Sequence, residues 1–413
     1  MPQNWKTYML NEVAQVIDSL HKTPEYSEDG YPMVRAQEIT GGVLSLSDTA
    51  KVSEKVYLDF SKNHKSGPGD LVYSRVGAHC GKVSYVKTDI PFCLGQNTVF
   101  ILPKNVENKF LYYFLDSPIS KDQIERNAVV SSYKTISLKT IRELEINLPP
   151  LPEQRAIASI LTALDDKIEL NLQMNKTLEE MAMTLYKHWF VDFGPFQNGK
   201  FVESELGMIP EGWEVKRLDE FLTVKRGGSP RPIRDFMAEE GYPWLKISDA
   251  TASISPFLYS TKEFIKKEGL RKTVLMKPGS IILSNSATPG LPRLLEFETC
   301  IHDGWLHFPE IKRLNRYILY LLFLDIKAHL IQQGNGSVFT NLKTDILKSQ
   351  MFNLPPIEIE SEFSNIITPW FEKIKMNTEE NLTLSKKRDT LLPKLISGEV
   401  RVKQAEEIIK SIT

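Results

Sequence analysis

The sequence predicts an α+β chain: two pseudo-two-fold-related, strand-dominated domains separated by an antiparallel pair of long coiled-coil helices. Three observations carry this. First, Asn147-Leu148-Pro149-Pro150, followed by a long helical pattern, recurs as Asn353-Leu354-Pro355-Pro356, followed by another. Under the same gap-free offset Lys167-Ile168 meets Lys373-Ile374, Asn171 meets Asn377, Asn175 meets Asn381 and Thr177-Leu178 meets Thr383-Leu384. Self-similarity over so long a period marks duplicated domains rather than a solenoid. Second, the landmarks upstream of each helix also match. Third, both helical stretches hold the spacing of a coiled-coil seam.

The first domain, residues 1–146, begins with Trp5-Lys6, which corresponds to Trp213-Glu214 at the start of the second domain, residues 213–352. Tyr31-Pro32-Met33-Val34-Arg35 corresponds to Tyr242-Pro243-Trp244-Leu245-Lys246. Pro68-Gly69 and Pro278-Gly279 each precede a run of apolar and β-branched residues, the signature of a turn into a buried strand. Segments 83–86, 98–102 and 143–148 read as further strands. One short amphipathic helix per domain is expected, at Asn108-Lys109-Phe110 and at Asn315-Arg316-Tyr317. Between the landmarks the two halves diverge: 76–79 faces 286–288, and 116–134 faces 325–339. A retained scaffold with changed loops is the pattern of one fold carrying two recognition surfaces.

Residues 147–193 and 353–400 are the two helices, with a linker at 194–212 and a tail at 401–413. Alternating steps of four and three give Ile157, Leu161, Leu164, Ile168, Asn171, Asn175, Leu178, Ala182, Leu185 and Trp189. The second series is Phe363, Ile367, Trp370, Ile374, Asn377, Asn381, Leu384, Arg388, Leu391 and Leu395. Spacing of about 3.5 residues sustained this far predicts a seam. Pro152 suits the first turn of its helix, and Pro369 predicts a kink or a start at Thr368. Gly194-Pro195 and Ser397-Gly398 read as helix ends. In an antiparallel pair Asn171 would face Asn381 and Asn175 would face Asn377, and buried amide pairs of this kind fix register at some cost in stability.

Composition narrows the function. Over 413 residues, 41% hydrophobic and 25% charged are the values of an ordinary globular protein. A net charge of −1 argues against a sticky polyanion binder, but not against a local basic surface that holds phosphates. The three cysteines are odd in number and lack ligand spacing, so no disulfide framework or zinc site is expected. Cys93 and Cys300 stand at corresponding places and read as small buried strand residues. No secretory signal is visible in 1–20, and the longest apolar run, 317–324, is too short for a bilayer, so a cytoplasmic protein with no membrane association is expected.

No catalytic constellation is visible. The repeated Asn-Leu-Pro-Pro superficially resembles a DNA amino-methyltransferase motif. However, the leucine displaces the amide from the prolines, and Leu151 and Ile357 stand where an aromatic is needed. Gly334-Asn335-Gly336 is a lone Gly-x-Gly, and there is no phosphate loop, nucleophile elbow or zinc-binding His-Glu-x-x-His. Seven scattered histidines form no ligand cluster. An enzyme reading would need a cofactor or metal motif that is missing, whereas a pure interaction scaffold would fit the coiled coil.

The stretch from Leu148-Pro149-Pro150-Leu151-Pro152 to Glu153-Gln154-Arg155-Ala156-Ile157 resembles the specificity (S) subunit of type I restriction-modification enzymes. So do Leu206-Gly207-Met208-Ile209-Pro210-Glu211-Gly212-Trp213 and the closing Leu391-Leu392-Pro393-Lys394-Leu395-Ile396-Ser397-Gly398-Glu399. The resemblance covers the whole chain. One departure is Ile359-Glu360-Ser361, which stands where the central region has Glu153-Gln154-Arg155. The resemblance implies two target recognition domains, each reading one half of a bipartite, asymmetric double-stranded DNA target. It implies that the helices act as ruler and platform for two methyltransferase (M) subunits, with restriction (R) subunits joining. S-adenosylmethionine, ATP and magnesium would be used by those partners, with no cofactor, metal or catalytic residue in this chain. The 33 residues from Ile157 to Trp189 span about 50 Å as a helix, something over one turn of duplex.

Base readout needs Arg, Lys, Gln and Asn at base edges, with other polar groups on phosphates. In the first domain the candidates are Arg35, Gln37, Arg75, His79, Gln96, Asn97, Ser132, Tyr133 and Lys134. In the second they are Arg231, Arg234, Lys246, Asn285, Arg293, His302, Gln332, Gln333 and Asn335.

Overall fold

The computed structural model describes residues 2–127, 134–333 and 342–410. It forms two compact units: Met1–Ile168 with Leu382–Thr413, and Glu169–Asn381. The central helix, Leu151–Phe190, and the distal helix, Ile357–Ser397, each contribute residues to both units.

Unit 1 holds two four-stranded sheets. In the first, Ala14–Asp18 pairs with Thr98–Pro103, which pairs with Leu71–Ser74, which pairs with Val83–Tyr85, all antiparallel. In the second, Tyr31–Val34 lies between Ala50–Val52 and Cys93–Leu94, and the latter pair is parallel with Met33 opposite Cys93. Unit 2 repeats this design with a fifth strand on each sheet. Leu222–Arg226, Trp305–Ile311, Ile281–Ser284 and Pro292–Leu295 follow in the same order. Tyr242–Leu245 pairs in parallel with Thr299–Ile301, Trp244 opposite Cys300. Both cysteines are therefore buried strand residues at one register position. Each unit ties the strand after its Trp5 or Trp213 to the strand before its Pro-Pro turn, Lys6 opposite Leu148 and Glu214 opposite Leu354.

The Pro-Gly turns lead into strands whose four residues are all buried, Leu71–Ser74 and Ile281–Ser284. Gly69 and Gly279 take φ of 94° and 88°, the left-handed region open to glycine. A side chain at Gly69 would strike the amide of Asn108, which donates from Nδ2 to the Gly69 carbonyl at 3.1 Å.

Helix content exceeds one short helix per domain. Unit 1 adds Glu54–Phe60, Pro118–Asn127 and Leu138–Arg142 to Asn108–Asp116. Unit 2 has a single 18-residue helix, Arg316–Gln333, where unit 1 has two. The break has a local cause. Proline at 118 pushes Ser117 out of the helical region, to ψ 155°, and the Ser117 hydroxyl accepts from the Ser120 amide at 3.4 Å.

In unit 1, Ile157, Leu161 and Leu164 of the central helix share a core with Leu391 and Leu395 of the distal helix and with Phe110 and Leu111. Arg388, at a seam position, pairs its Nη1 with Asp165 Oδ1 at 2.8 Å. In unit 2, Ala182, Tyr186 and Trp189 share a core with Phe363, Ile367, Phe371 and Ile374. The helices run antiparallel: Asn171 Nδ2 donates to Asn381 Oδ1, and Asn377 Nδ2 to Asn175 Oδ1, both at 2.8 Å.

Two expectations are corrected. The seam departs by one residue at two places, where Phe371 and Tyr186 are fully buried and Trp370 and Leu185 were expected, while Trp189, Phe363, Ile367 and Ile374 hold their expected positions. The distal helix also does not start at Thr368; it runs from Ile357 through Pro369. An interior proline costs about 3 kcal/mol. Phe363, Ile367, Phe371 and Ile374, all fully buried, offset it at about 1.5–3 kcal/mol each, while Pro369 itself faces solvent. Among the described residues no helix is long and apolar enough to cross a membrane.

Candidate nucleic-acid interface

In each unit a cleft opens where corresponding strands end. In unit 1, Tyr31–Val34 delivers Arg35–Gln37, Leu71–Ser74 leads to 76–79, and Cys93–Leu94 delivers Gly95–Asn97. These segments, with Thr23, Pro24 and Tyr26, line a cleft of about 380 Å³. In unit 2 the equivalent segments are Lys246–Ser248, Ser286–Ala287 and His302, joined by 229–234, around about 1010 Å³.

The same backbone bonds hold both. Arg75 N donates to Asn97 O and Asn285 N to Gly304 O, each at 2.9 Å. Ser74 O and Ser284 O accept from Gly81 N and Gly290 N. Gly77 (φ 68°) and Ala287 (φ 58°) share the left-handed conformation at the matching loop position.

Arg35, Lys246 and Arg231 are held by carboxylates. Glu38 accepts from the Arg35 amide at 2.7 Å and from its Nη2 at 2.6 Å, and the guanidinium lies 5.8 Å from the Tyr26 ring centre. This hydrogen bond to Glu38 raises the Arg35 pKa above its ordinary value. Gln37 donates to the same carboxylate at 2.9 Å. In unit 2, Asp249 accepts from the Lys246 amide at 3.1 Å, and the Lys246 ammonium pairs with Glu263. Asp303 accepts from Ser229 Oγ at 2.7 Å and from Arg231 Nη2 at 3.1 Å. Burial would raise the Asp303 pKa, but these two donors outweigh it and hold it below the usual value. His302 is pushed down by burial, with Asp303 partly opposing.

Nine of the sequence-derived candidates thus line the two clefts: Arg35, Gln37, His79, Gln96 and Asn97 in unit 1, and Arg231, Arg234, Lys246 and His302 in unit 2. Others do not. Arg75 is an internal brace, with Nη1 on Asp18 at 2.9 Å and Nε on Ile136 O at 3.1 Å. Arg293 is buried and donates to the carbonyls of Ala250 at 2.8 Å and Ser253 at 2.9 Å. Asn285 is fully buried, its amide on Asp303 O at 3.2 Å. These three were expected at base edges and instead hold loops together. Lys134 is exposed and pairs with Glu125 at 3.1 Å. Gln332 is exposed near the end of Arg316–Gln333 and lines neither cleft, and Gln333 is that helix's last residue. Ser132, Tyr133 and Asn335 lie outside the described residues.

Sequence reading missed Tyr26, Trp244, Ser229, Ser248 and Ser286 as cleft residues. Trp244 aligns with Met33 in the repeat, so an aromatic substituted beside a turn was the available signal. Among the described residues no group of His, Cys, Asp and Glu is arranged to hold a metal ion.

Comparison with known proteins agrees with this architecture. The profile of the type I restriction modification DNA specificity domain matches residues 2–180 and 210–386. The type I restriction enzyme MjaIX specificity subunit of Methanocaldococcus jannaschii is 27% identical over 98% of this chain and 95% of its own length. The HindI specificity subunit of Haemophilus influenzae is 24% identical over 96% of this chain and 100% of its own. The crystal structure of the type I restriction-modification system S subunit from M. genitalium shares the fold, with a TM-score of 0.56 and 18% identity over 95% of this chain and 96% of that one. With both repeats matched, the chain belongs to the specificity-subunit family of type I restriction-modification systems, whose role is the recognition of DNA sequence.

Proposed function

We propose that this chain reads a bipartite, asymmetric double-stranded DNA target, one half-site per cleft, and assembles methyltransferase and restriction subunits around it. The observation that carries this reading is the pair of clefts: equivalent backbone in both units, different side chains at the tips. One scaffold with two linings is what two independent half-sites require.

The exposed groups suit base edges and phosphates: guanidinium, ammonium and amide side chains on strand ends held by backbone hydrogen bonds. Their carboxylate partners would give way to phosphate or base acceptors on docking, a near-even exchange that favours DNA of the right shape over any polyanion. The long helices set the spacer between half-sites and offer their outer faces to two methyltransferase subunits. Methyl transfer from S-adenosylmethionine, and ATP- and magnesium-dependent cleavage, belong to the partners, so this chain is non-catalytic.

The test combines the purified chain with methyltransferase subunits. The chain alone is expected to transfer no methyl group, with or without S-adenosylmethionine and ATP. The complex is expected to methylate one bipartite sequence. Methyl transfer by the chain alone, or methylation by the complex of a single uninterrupted site, would overturn the proposal.

A further inference from the structure

We propose that Gln96 is the residue by which unit 1 reads an adenine in its half-site, and that unit 2 has no counterpart to it. The inference rests on the reading of the clefts as base-reading surfaces and names what one of them reads.

Three polar side chains in the unit 1 cleft already have partners. Arg35 and Gln37 are held by Glu38, at 2.6 and 2.9 Å, and His79 Nδ1 lies 3.2 Å from the Ile39 carbonyl. Among the described residues the side chains of Gln96 and Asn97 make no hydrogen bond, and of the two Gln96 is the exposed one.

Its backbone is fixed on both sides. Gly95 N donates to Val34 O at 2.8 Å, Thr98 Oγ1 donates to Gly95 O at 2.7 Å, and Arg75 N donates to Asn97 O at 2.9 Å. Asn97 holds φ at 64°, which turns the chain sharply and leaves Gln96 outermost on the tip. A tip with fixed backbone leaves only the side-chain rotamers of Gln96 to be ordered on docking. A side-chain amide offers one acceptor and donors in the arrangement that matches adenine N6 and N7 in the major groove.

The corresponding residue in unit 2 is Asp303, already engaged by Ser229 and Arg231 at 2.7 and 3.1 Å. It presents no amide. Arg234, exposed and without an ion pair or hydrogen bond among the described residues, is the unengaged group there, and it suits guanine instead.

The experiment uses the complex with methyltransferase subunits and maps every methylated sequence in a DNA of random composition. Gln96→Ala should relax one adenine position in one half-site, cutting discrimination there by about tenfold or more, with the other half-site and the spacer intact. Gln96→Glu, which keeps the size and removes the donor, should relax the same position. In the wild-type complex 7-deazaadenine at that position should cost a similar factor, and in Gln96→Ala nothing further.

Relaxation at a position that is not adenine would overturn the inference. So would a uniform weakening across sequences with a smaller salt slope, the mark of a phosphate contact. If Gln96→Ala leaves the motif intact while Arg234→Ala relaxes the other half-site, the clefts read DNA and Gln96 does not. If neither variant alters the motif, the cleft reading falls as well.

Discussion

At matching tips, unit 1 presents Gln96-Asn97 and unit 2 presents Asp303-Gly304, on strands paired in the same register and closed by the same backbone bonds. The amide pair is unengaged; the aspartate is tied to an arginine and a serine. The neighbouring loop makes the same point. Gly77 and Ala287 adopt one left-handed conformation, although alanine there costs about 1 kcal/mol. The scaffold keeps its backbone even where the local residue disfavours it, while the side chains at the tips and the added 229–234 segment distinguish the two clefts. The same contrast separates arginines within unit 2: Arg231 at the cleft rim is exposed, whereas Arg293 is walled in by carbonyls.

Exchanging residues 1–146 for the matching domain of a relative is expected to have the largest effect. It should replace one half-site entirely and leave the other untouched, as read by methylation mapping. A simultaneous change in both half-sites would break the comparison at its root, because the clefts would not be independent.

Next comes Arg293→Ala. Removing a buried guanidinium leaves the Ala250 and Ser253 carbonyls unsatisfied and should cost about 3 kcal/mol or more in denaturant unfolding. Arg231→Ala, at the exposed rim, should cost under about 1 kcal/mol and alter sequence preference instead. Similar stability losses for both would erase the distinction between brace and reader.

Replacing Asn171 by Leu removes the donor to Asn381 Oδ1 and to Glu380 and should cost about 1–3 kcal/mol. The double variant with Asn381→Leu should cost less than the sum of the two singles. Strictly additive effects in thermal unfolding would mean the amide pair does not fix the register of the two helices.

The smallest effect is one of pH. Burial holds His302 and His307 of unit 2 below the ordinary histidine value, so the folded state favours their neutral forms. Above about pH 6.5 both states are neutral and this stability is fully present. As pH falls below that value the unfolded chain takes up protons first, and stability is lost. The melting temperature should drop between pH 7.5 and 5, and His302→Asn with His307→Asn should flatten that dependence. An unchanged slope would show that neither histidine is held neutral.

The duplication, the α+β class, the strand after each Pro-Gly and the long helices were legible in the sequence because each rests on local periodicity or turn chemistry. So were the cleft residues next to those strand ends, such as Arg35 and Lys246. The facing direction of the other polar residues was not legible. Arg75, Arg293 and Asn285 have the same chemistry as a base-reading residue, and only the packing of distant segments turns them inward to satisfy backbone carbonyls and Asp18. The one-residue shift from Trp370 to Phe371 was equally hidden, since it is decided by how side chains pack in the unit 2 core. The continuity of the distal helix through Pro369 was decided by the same packing: burial of side chains on one face outweighs a local penalty that sequence alone reads as a kink or a helix start.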